Sequence, residues 1–419
     1  MIANKTYLGH PTKRRKTASP DWSVLHTDLW ESILNRLYVA DLLSARAVCH
    51  SWCSLAEARI SSLETPLFDQ PPLLILPSDD DDDQGNKNSS CLYNFTQKKV
   101  CRLINIPEYM GHAHYIGSCH GWLIFYDHKE AAPCIFSPFL EVRIQLPLFR
   151  GAVVERLKIP YIEKAVVSSH PIHSKNKYWV VVIYGGSSML GYSKCGDSEW
   201  TALKEAEADK PYCDIISYKD YIYALAKTGS IEIWDFNTCN LIPTKKMDIK
   251  PSFPRETLEF EKSVPPISSY TSRCYMVESK GDILLIMRYI DKYIPEGILV
   301  GDEENPIHLY PYMTKYFHVY KLNFDQTKWV KLESLGDHTL FLGGNHSVLL
   351  SKKKTSLFCK RNSIYFTDDY WLRMHGHPIC KGHDNGRFDL EDQSIERINE
   401  DDLHKIKPAP IWIVPNPWY

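Results

Sequence analysis

One arrangement recurs through most of this chain and limits what it can fold into. A polar turn leads into a nearly continuous apolar run: "SCHGWLIFYD" (118–127), "NKYWVVVIYG" (176–185), "KDYIYALAK" (219–227), "KGDILLIMRY" (280–289) and "NSIYFTDD" (362–369). Each is followed by a second run ("CIFSPF", "MLGYSK", "IEIWDF", "FHVYKL", "RFDLED") and then a third ("VRIQLP", "EWTAL", "NLIPTKK", "KWVKLES", "SIERI"). Short apolar runs bounded by Gly, Asn, Ser, Asp and Lys read as strands. The steps from Trp122 to Trp179, Tyr221, Ile283 and Ile364 are 57, 42, 62 and 81 residues. Repeats of about 40–50 residues with four strands each are the mark of propeller blades, and the longer steps hold insertions such as 293–316. Counting the strand ahead of each turn gives five four-stranded units, and "PLLILP", "CLYNFT" and "CRLINIP" supply three strands of one more. The C-terminal "PIWIVPNPW" (410–418) is placed to complete that unit and so remove the sheet edges. The expected class is therefore mainly β: an antiparallel β-propeller of about six blades, closed by the C-terminal strand, behind a short helical segment.

That segment, residues 21–60, has a different period. Leu29, Ile33 and Leu37 recur at four-residue steps, with Trp30 and Leu34 alongside. Asp41 then caps an expected second helix carrying Leu42, Ala45, Val48, Cys49, Trp52 and Leu55. Two short helices bury little alone and call for a partner surface. The chain thus divides into a basic tail (1–20), the helical segment (21–60), a linker (61–71) and the propeller (72–419). Lys13, Arg14, Arg15 and Lys16 form a basic run of the nuclear-import kind. The acidic tract at 78–90 reads as a solvated loop, since adjacent aspartates repel and offer no apolar face.

Composition narrows the function. A net charge of −2 gives no general attraction to nucleic acid. The N-terminus has no apolar leader, and no run approaches the roughly 20 apolar residues of a membrane span, so a soluble protein of the nucleus or cytoplasm, with reduced cysteines, is expected. Cys49, His50 and Cys53 do not converge on one helical face, which makes Cys49 a small hydrophobe rather than a metal ligand. His375, His377, Cys380 and His383 crowd into nine residues, but turn formers and irregular spacing favour a hydrogen-bonded loop over zinc. His112, His114 and His120 near Cys119 lack an orienting acid for nucleophilic catalysis. Asp368, Asp369, Asp384 and Asp389 raise the question of a propeller hydrolase, although acids at strand ends are ordinary turn chemistry.

The helical segment "WSVLHTDLWESILNRLYVADLLSARAVCHSWCSLA" resembles an F-box at Leu25, Leu29, Ile33, Leu37, Asp41, Leu42, Leu43, Val48, Cys49 and Trp52. It departs at His26, where that family usually has proline and so a fixed φ. The remainder is similar to the propeller domain that follows the F-box in a large group of plant proteins, in "YMVESKGDILLIMR", "FHVYKLNFDQTKWVKLESLGDHTLFLGGNHSVLLS", "NSIYFTDDYW", "GHDNGRFDLED" and "PIWIVPNPW". The resemblance implies a non-catalytic substrate receptor of a Skp–cullin–F-box ubiquitin ligase, without cofactor. It also implies docking on a Skp-type adaptor, and through it on cullin and RING subunits, while the propeller holds an unidentified target protein; the alternative is a propeller binding module that acts without the adaptor or outside ubiquitin transfer. The adaptor face it implies comprises Leu25, Leu29, Trp30, Ile33, Leu34, Leu37, Leu42, Leu43, Val48, Cys49 and Trp52, in a helix-in-groove mode.

Overall fold

The structure is a computed structural model. It describes residues 25–34, 36–37, 39–61, 72–76, 91–94, 99–102, 114–119, 121–127, 130, 132–138, 140–150, 153–154, 159–172, 174, 177–203, 210–237, 242–257, 270–292, 312–351, 359–369, 383–397 and 411–414. The basic run at 13–16, the acidic tract, and His112, His120, His375, His377 and Cys380 lie outside these residues.

Three helices come first: α1 (Thr27–Leu34), α2 (Val39–Arg46) and α3 (His50–Ser61). This corrects the expected pair. Helix α2 begins at Val39, and Asp41 sits in its first turn, where a carboxylate favours the positive end of the helix dipole. It ends at Arg46 because Ala47 and Val48 donate only three residues back, to Ser44 and Ala45 at 3.1 and 3.2 Å. The apolar stripe expected to run from Leu42 to Trp52 is therefore divided between two helices. None of these helices is long and apolar enough to cross a membrane.

Strands follow. Leu73–Leu76, Cys91–Asn94 and Lys99–Arg102 form the first sheet, and Ile411–Ile413 lies antiparallel on the far side of Leu73–Leu76. The second sheet is His114–Cys119, Trp122–Asp127, Ala132–Ser137 and Val142–Gln145; the third is Ile162–Val167, Trp179–Tyr184, Met189–Lys194 and Thr201–Ala202. The fourth is Tyr212–Tyr218, Tyr221–Ala226, Ile231–Asp235 and Thr244–Ile249; the fifth is Tyr270–Ser279, Asp282–Lys292, Tyr312–Asn323 and Lys328–Leu332. All five are four-stranded and antiparallel.

The expectation of about six blades is corrected to these five, because the stretch 338–397 does not repeat their pattern. There the order is Ser347–Ser351, His338–Leu342, Ser363–Phe366, Gly386–Asp389 and Ile395–Arg397, a five-stranded sheet with one parallel pair, Leu340 opposite Ile364. After His338–Leu342 the chain turns back through a hairpin and only then crosses to Ser363, which is what parallel neighbours require.

Apolar clusters join consecutive sheets. Ile124 and Ile135 pack with Val180 and Val182 across the second and third, Trp179 with Ile222 and Trp234 across the third and fourth, and Leu225 with Leu285 and Trp329 across the fourth and fifth. Ile286 packs with Leu340 and Ile364 between the fifth and the mixed sheet, and Phe341 and Tyr365 pack with Leu74 and Trp412 of the first. Central strands such as Trp179–Tyr184 are buried on both faces, which is why they read as continuous apolar runs rather than alternating ones. Between the second and third sheets, Gly117 faces the Ala165 carbonyl, where any Cβ would collide.

Candidate functional site

Helix α1 carries two apolar rows one residue apart. Trp30 and Leu34 are buried at 3% and 2% exposure, whereas Leu29 and Ile33 are 56% and 38% exposed. Residues four apart share a helix face, so one row points into the molecule and the other out. His26 opens the helix, its carbonyl accepting from the Leu29 and Trp30 amides at 3.0 and 3.2 Å. This backbone role does not need the proline ring that the family usually has there.

The inner row leaves the helices altogether. Trp30, Leu34 and Leu42 form one cluster with Leu73 and Ile75 of the first sheet, Ile411 and Ile413 beside them, and Leu123, Phe125 and Phe136 of the second; Leu25, Leu37, Trp52 and Leu55 pack against it. The Trp30 and Trp52 rings meet edge-on with centroids 4.2 Å apart. The Arg46 guanidinium extends the contact, 3.2 Å from Glu57 on α3 and 3.5 Å from Glu141 in the turn ending the second sheet's third strand. The residues expected on one adaptor face are thus split by the fold. Leu29, Ile33 and Val48 (59% exposed) face outward, whereas Trp30, Leu34 and Leu42 are taken up by internal packing. Cys49 is half-buried beside α3, and Cys53 Sγ lies 3.5 Å from Glu57 Oε1.

The competing chemistry resolves differently. The four aspartates singled out in the sequence are all buried. Two hold one guanidinium: Arg288 donates to Asp369 Oδ1 at 3.0 Å, to Asp384 Oδ2 at 2.9 Å, to Thr314 Oγ1 at 2.7 Å and to the Thr367 carbonyl at 2.8 Å, while the Tyr312 hydroxyl donates to the neighbouring Asp368 at 2.9 Å. Arg397 closes the group with 2.7 Å to Asp384 Oδ1. Burial works against ionising Asp384, but Arg288 and Arg397 outweigh it and hold its carboxyl below the usual range. Carboxylates neutralised in this way are poor general bases or glycosidic nucleophiles. His383, from the crowded His/Cys stretch, is buried with Nε2 2.8 Å from the Tyr312 carbonyl oxygen. Among the described residues no His/Cys/Asp/Glu group is arranged to hold a metal ion. Cys119 Sγ donates to the Val167 carbonyl at 3.5 Å. The sequence reading missed Arg288; its only signal was one arginine inside the apolar run "ILLIMRYI".

Two family patterns match the chain: the F-box domain over residues 22–61 and the KIB1-4 beta-propeller over 92–389. The F-box protein KIB2 of Arabidopsis thaliana is 25% identical over 374 residues, covering 85% of this chain and 74% of that protein. F-box protein SKIP23 of the same plant is 25% identical, covering 94% and 95%, and F-box/kelch-repeat protein KIB1 is 25% identical, covering 87% and 82%. The first pattern spans the three helices and the second spans most of the sheets, and the chain belongs to the KIB1-4 beta-propeller family and carries an N-terminal F-box domain.

Proposed function

We propose that this protein is the substrate-receptor subunit of a Skp–cullin–F-box ubiquitin ligase, itself without catalytic activity. The observation that carries the reading is the outward row Leu29–Ile33, together with the exposed Val48: large apolar side chains left in water on the helical unit. A Skp-type adaptor fills that row, and cullin and RING subunits follow through the adaptor. The contribution of the receptor is proximity, holding a target near a charged conjugating enzyme and raising its effective concentration.

The propeller supplies the target face. Pairing of Ile411–Ile413 with Leu73–Leu76 supports a ring closed by the last strand. Strands alternate in direction, so the turn holding Glu141 lies at the same end of the sheets as the Lys219–Asp220 and Lys280–Gly281 turns. The Arg46–Glu141 contact puts the helices at that end. The target is received at the opposite end, where the Tyr212 amide meets the Ser188 carbonyl at 3.1 Å. Lys13, Arg14, Arg15 and Lys16 act as an import signal, and a reporter fused to residues 1–20 that stays cytoplasmic would refute this.

Calorimetry with a purified Skp-type adaptor tests the central reading. The intact chain binds, and the variant Leu29→Ala, Ile33→Ala, Val48→Ala loses binding while its melting profile is retained. An intact chain that does not bind the adaptor overturns the reading.

A further inference from the structure

The F-box helices cover the place where the two ends of the propeller meet. Ile413 stands opposite Leu73, Trp412 opposite Leu74 and Ile411 opposite Ile75. Among the described residues this strand has three residues and its ladder few backbone bonds, so side chains carry much of its hold. Alternation sends those side chains two ways. Trp412, with Leu74, faces the mixed sheet among Phe341, Leu350 and Tyr365, whereas Ile411 and Ile413, with Leu73 and Ile75, share their cluster with Trp30, Leu34 and Leu42 of the helices. Ile411, Ile413, Leu73 and Ile75 are each at most 4% exposed, and the helices are part of what shields them.

We infer that the F-box is a structural wall of the propeller's closing seam, so that the folding of its helices and the pairing of the first and last strands are one cooperative event. The outward row of α1 is mounted on the same short helix as the inward row, with Leu29 and Ile33 one residue from Trp30 and Leu34. Whatever binds the outward row therefore also orders the inward one. On the adaptor reading above, adaptor binding tightens the seam, and by reciprocity a loosened seam weakens adaptor binding. The ubiquitin-transfer machinery is then held at a fixed orientation to the propeller instead of swinging on a tether.

Hydrogen exchange of the full chain, read by mass spectrometry, tests this without any partner. Leu34→Asp places a charge in the cluster, Leu34→Ala is the milder form that keeps the fold, and Val48→Asp changes an exposed position. Both Leu34 variants are expected to speed exchange in Leu73–Leu76 and Ile411–Ile413 by about tenfold or more, with Tyr221–Ala226 unchanged and Val48→Asp like the parent. Fast exchange of α1–α3 with parental rates in both strands would mean that the helices unfold alone, and the inference would be overturned. Adding the adaptor is the second arm. Slower seam exchange supports coupling, whereas faster exchange would show that the adaptor competes with the propeller for the helices. An adaptor that does not bind removes the ligase reading and leaves the first arm to decide the seam.

Discussion

The mixed sheet at 338–397 is held on its two flanks by different physics. Toward the first sheet the contact is aromatic: Phe341 and Tyr365 stack at 5.1 Å, the Trp412 ring meets Phe341 edge-on at 5.3 Å, and its Nε1 donates to the Leu342 carbonyl at 2.8 Å. Toward the fifth sheet an apolar layer is backed by the buried group of Arg288, Asp369, Asp384 and Arg397. An aromatic flank tolerates changes of pH and salt but depends on fill; a charged flank depends on each partner being present and ionised. The fold uses fill beside the pairing of Ile411–Ile413 with Leu73–Leu76, and charge between consecutive sheets.

The largest expected effect is on the aromatic flank. Trp412→Ala removes the ring that contacts Phe341 and Leu74 and should cost about 3–5 kcal/mol. Asn345 bonds to both backbone groups of Trp412 at 2.6 and 3.3 Å, which keeps the strand in place while its packing is lost. Urea unfolding should show this loss equally at pH 7 and pH 4. A loss that varies with pH would break the contrast between the flanks.

Arg288→Met is next, costing roughly 3–5 kcal/mol at pH 7 because it leaves Asp369 and Asp384 buried without their main counter-charge. Here pH decides. The carboxyl of Asp384 is held below its ordinary 3.8 in the folded chain, so its contribution is fully present above about pH 4 and is lost as pH falls through the folded value. In Arg288→Met the acid limb should flatten or reverse, since protonating Asp384 now relieves an unpaired charge. The gap between variant and parent is therefore expected to narrow toward pH 3. A constant gap in a pH series of urea titrations would mean that the guanidinium acts by packing alone.

These two flanks also differ in how visible they were in the sequence. Aromatic and β-branched runs such as "WVVVIY" and "IWI" announce strands whatever their partners are, and the propeller was legible from them. The partners of Arg288 lie 13 to 96 residues away, from Tyr275 to Asp384, and no local pattern reports such a pairing. The parallel strand pair was hidden for the same reason, because a crossover leaves no mark on periodicity. In the helices, the break after Arg46 occurs at Ala47-Val48-Cys49 without glycine or proline, so one long stripe was the natural reading. Two rows at four-residue spacing were visible on α1, but only the first and second sheets determine which row turns inward.

A smaller pH-dependent effect belongs to the other face of the fifth sheet. His318 lies among Tyr289, Tyr316 and Tyr320, beside a cavity of about 230 Å³ lined also by Lys331, Phe388 and Leu390. Burial, with help from Lys331, pushes its imidazole down to about 4. The folded value lies below the ordinary 6.5, so the neutral ring's contribution is complete above about pH 6.5 and is lost as pH falls toward 4. Allowing for partial exposure, this is worth on the order of 1–2 kcal/mol. His318→Gln should flatten stability between pH 6.5 and 4 and leave the steeper fall below pH 4 to the Arg288 group. An unchanged slope in that window would mean that the protonation of His318 does not bear on stability and that the charged flank alone sets the acid limb.

The smallest expected change in stability belongs to a position on neither flank. Val48 stands in the turn between α2 and α3 at 59% exposure, so Val48→Asp should alter unfolding free energy by no more than about 0.5 kcal/mol. If the outward row is where the adaptor sits, the same substitution should nonetheless abolish adaptor binding, because a buried, unpaired carboxylate at an interface costs far more than the methyls it replaces. Leu34→Ala is the counterpart, costing about 2–5 kcal/mol in stability through the cavity it opens beneath the helices. It spares the outward surface and weakens the adaptor only through the loosened helix. Loss of binding without loss of stability at Val48, and loss of stability ahead of binding at Leu34, would separate the two rows of the F-box by function. Val48→Asp binding like the parent would move the adaptor contact elsewhere on the helices and leave the exposed row unexplained.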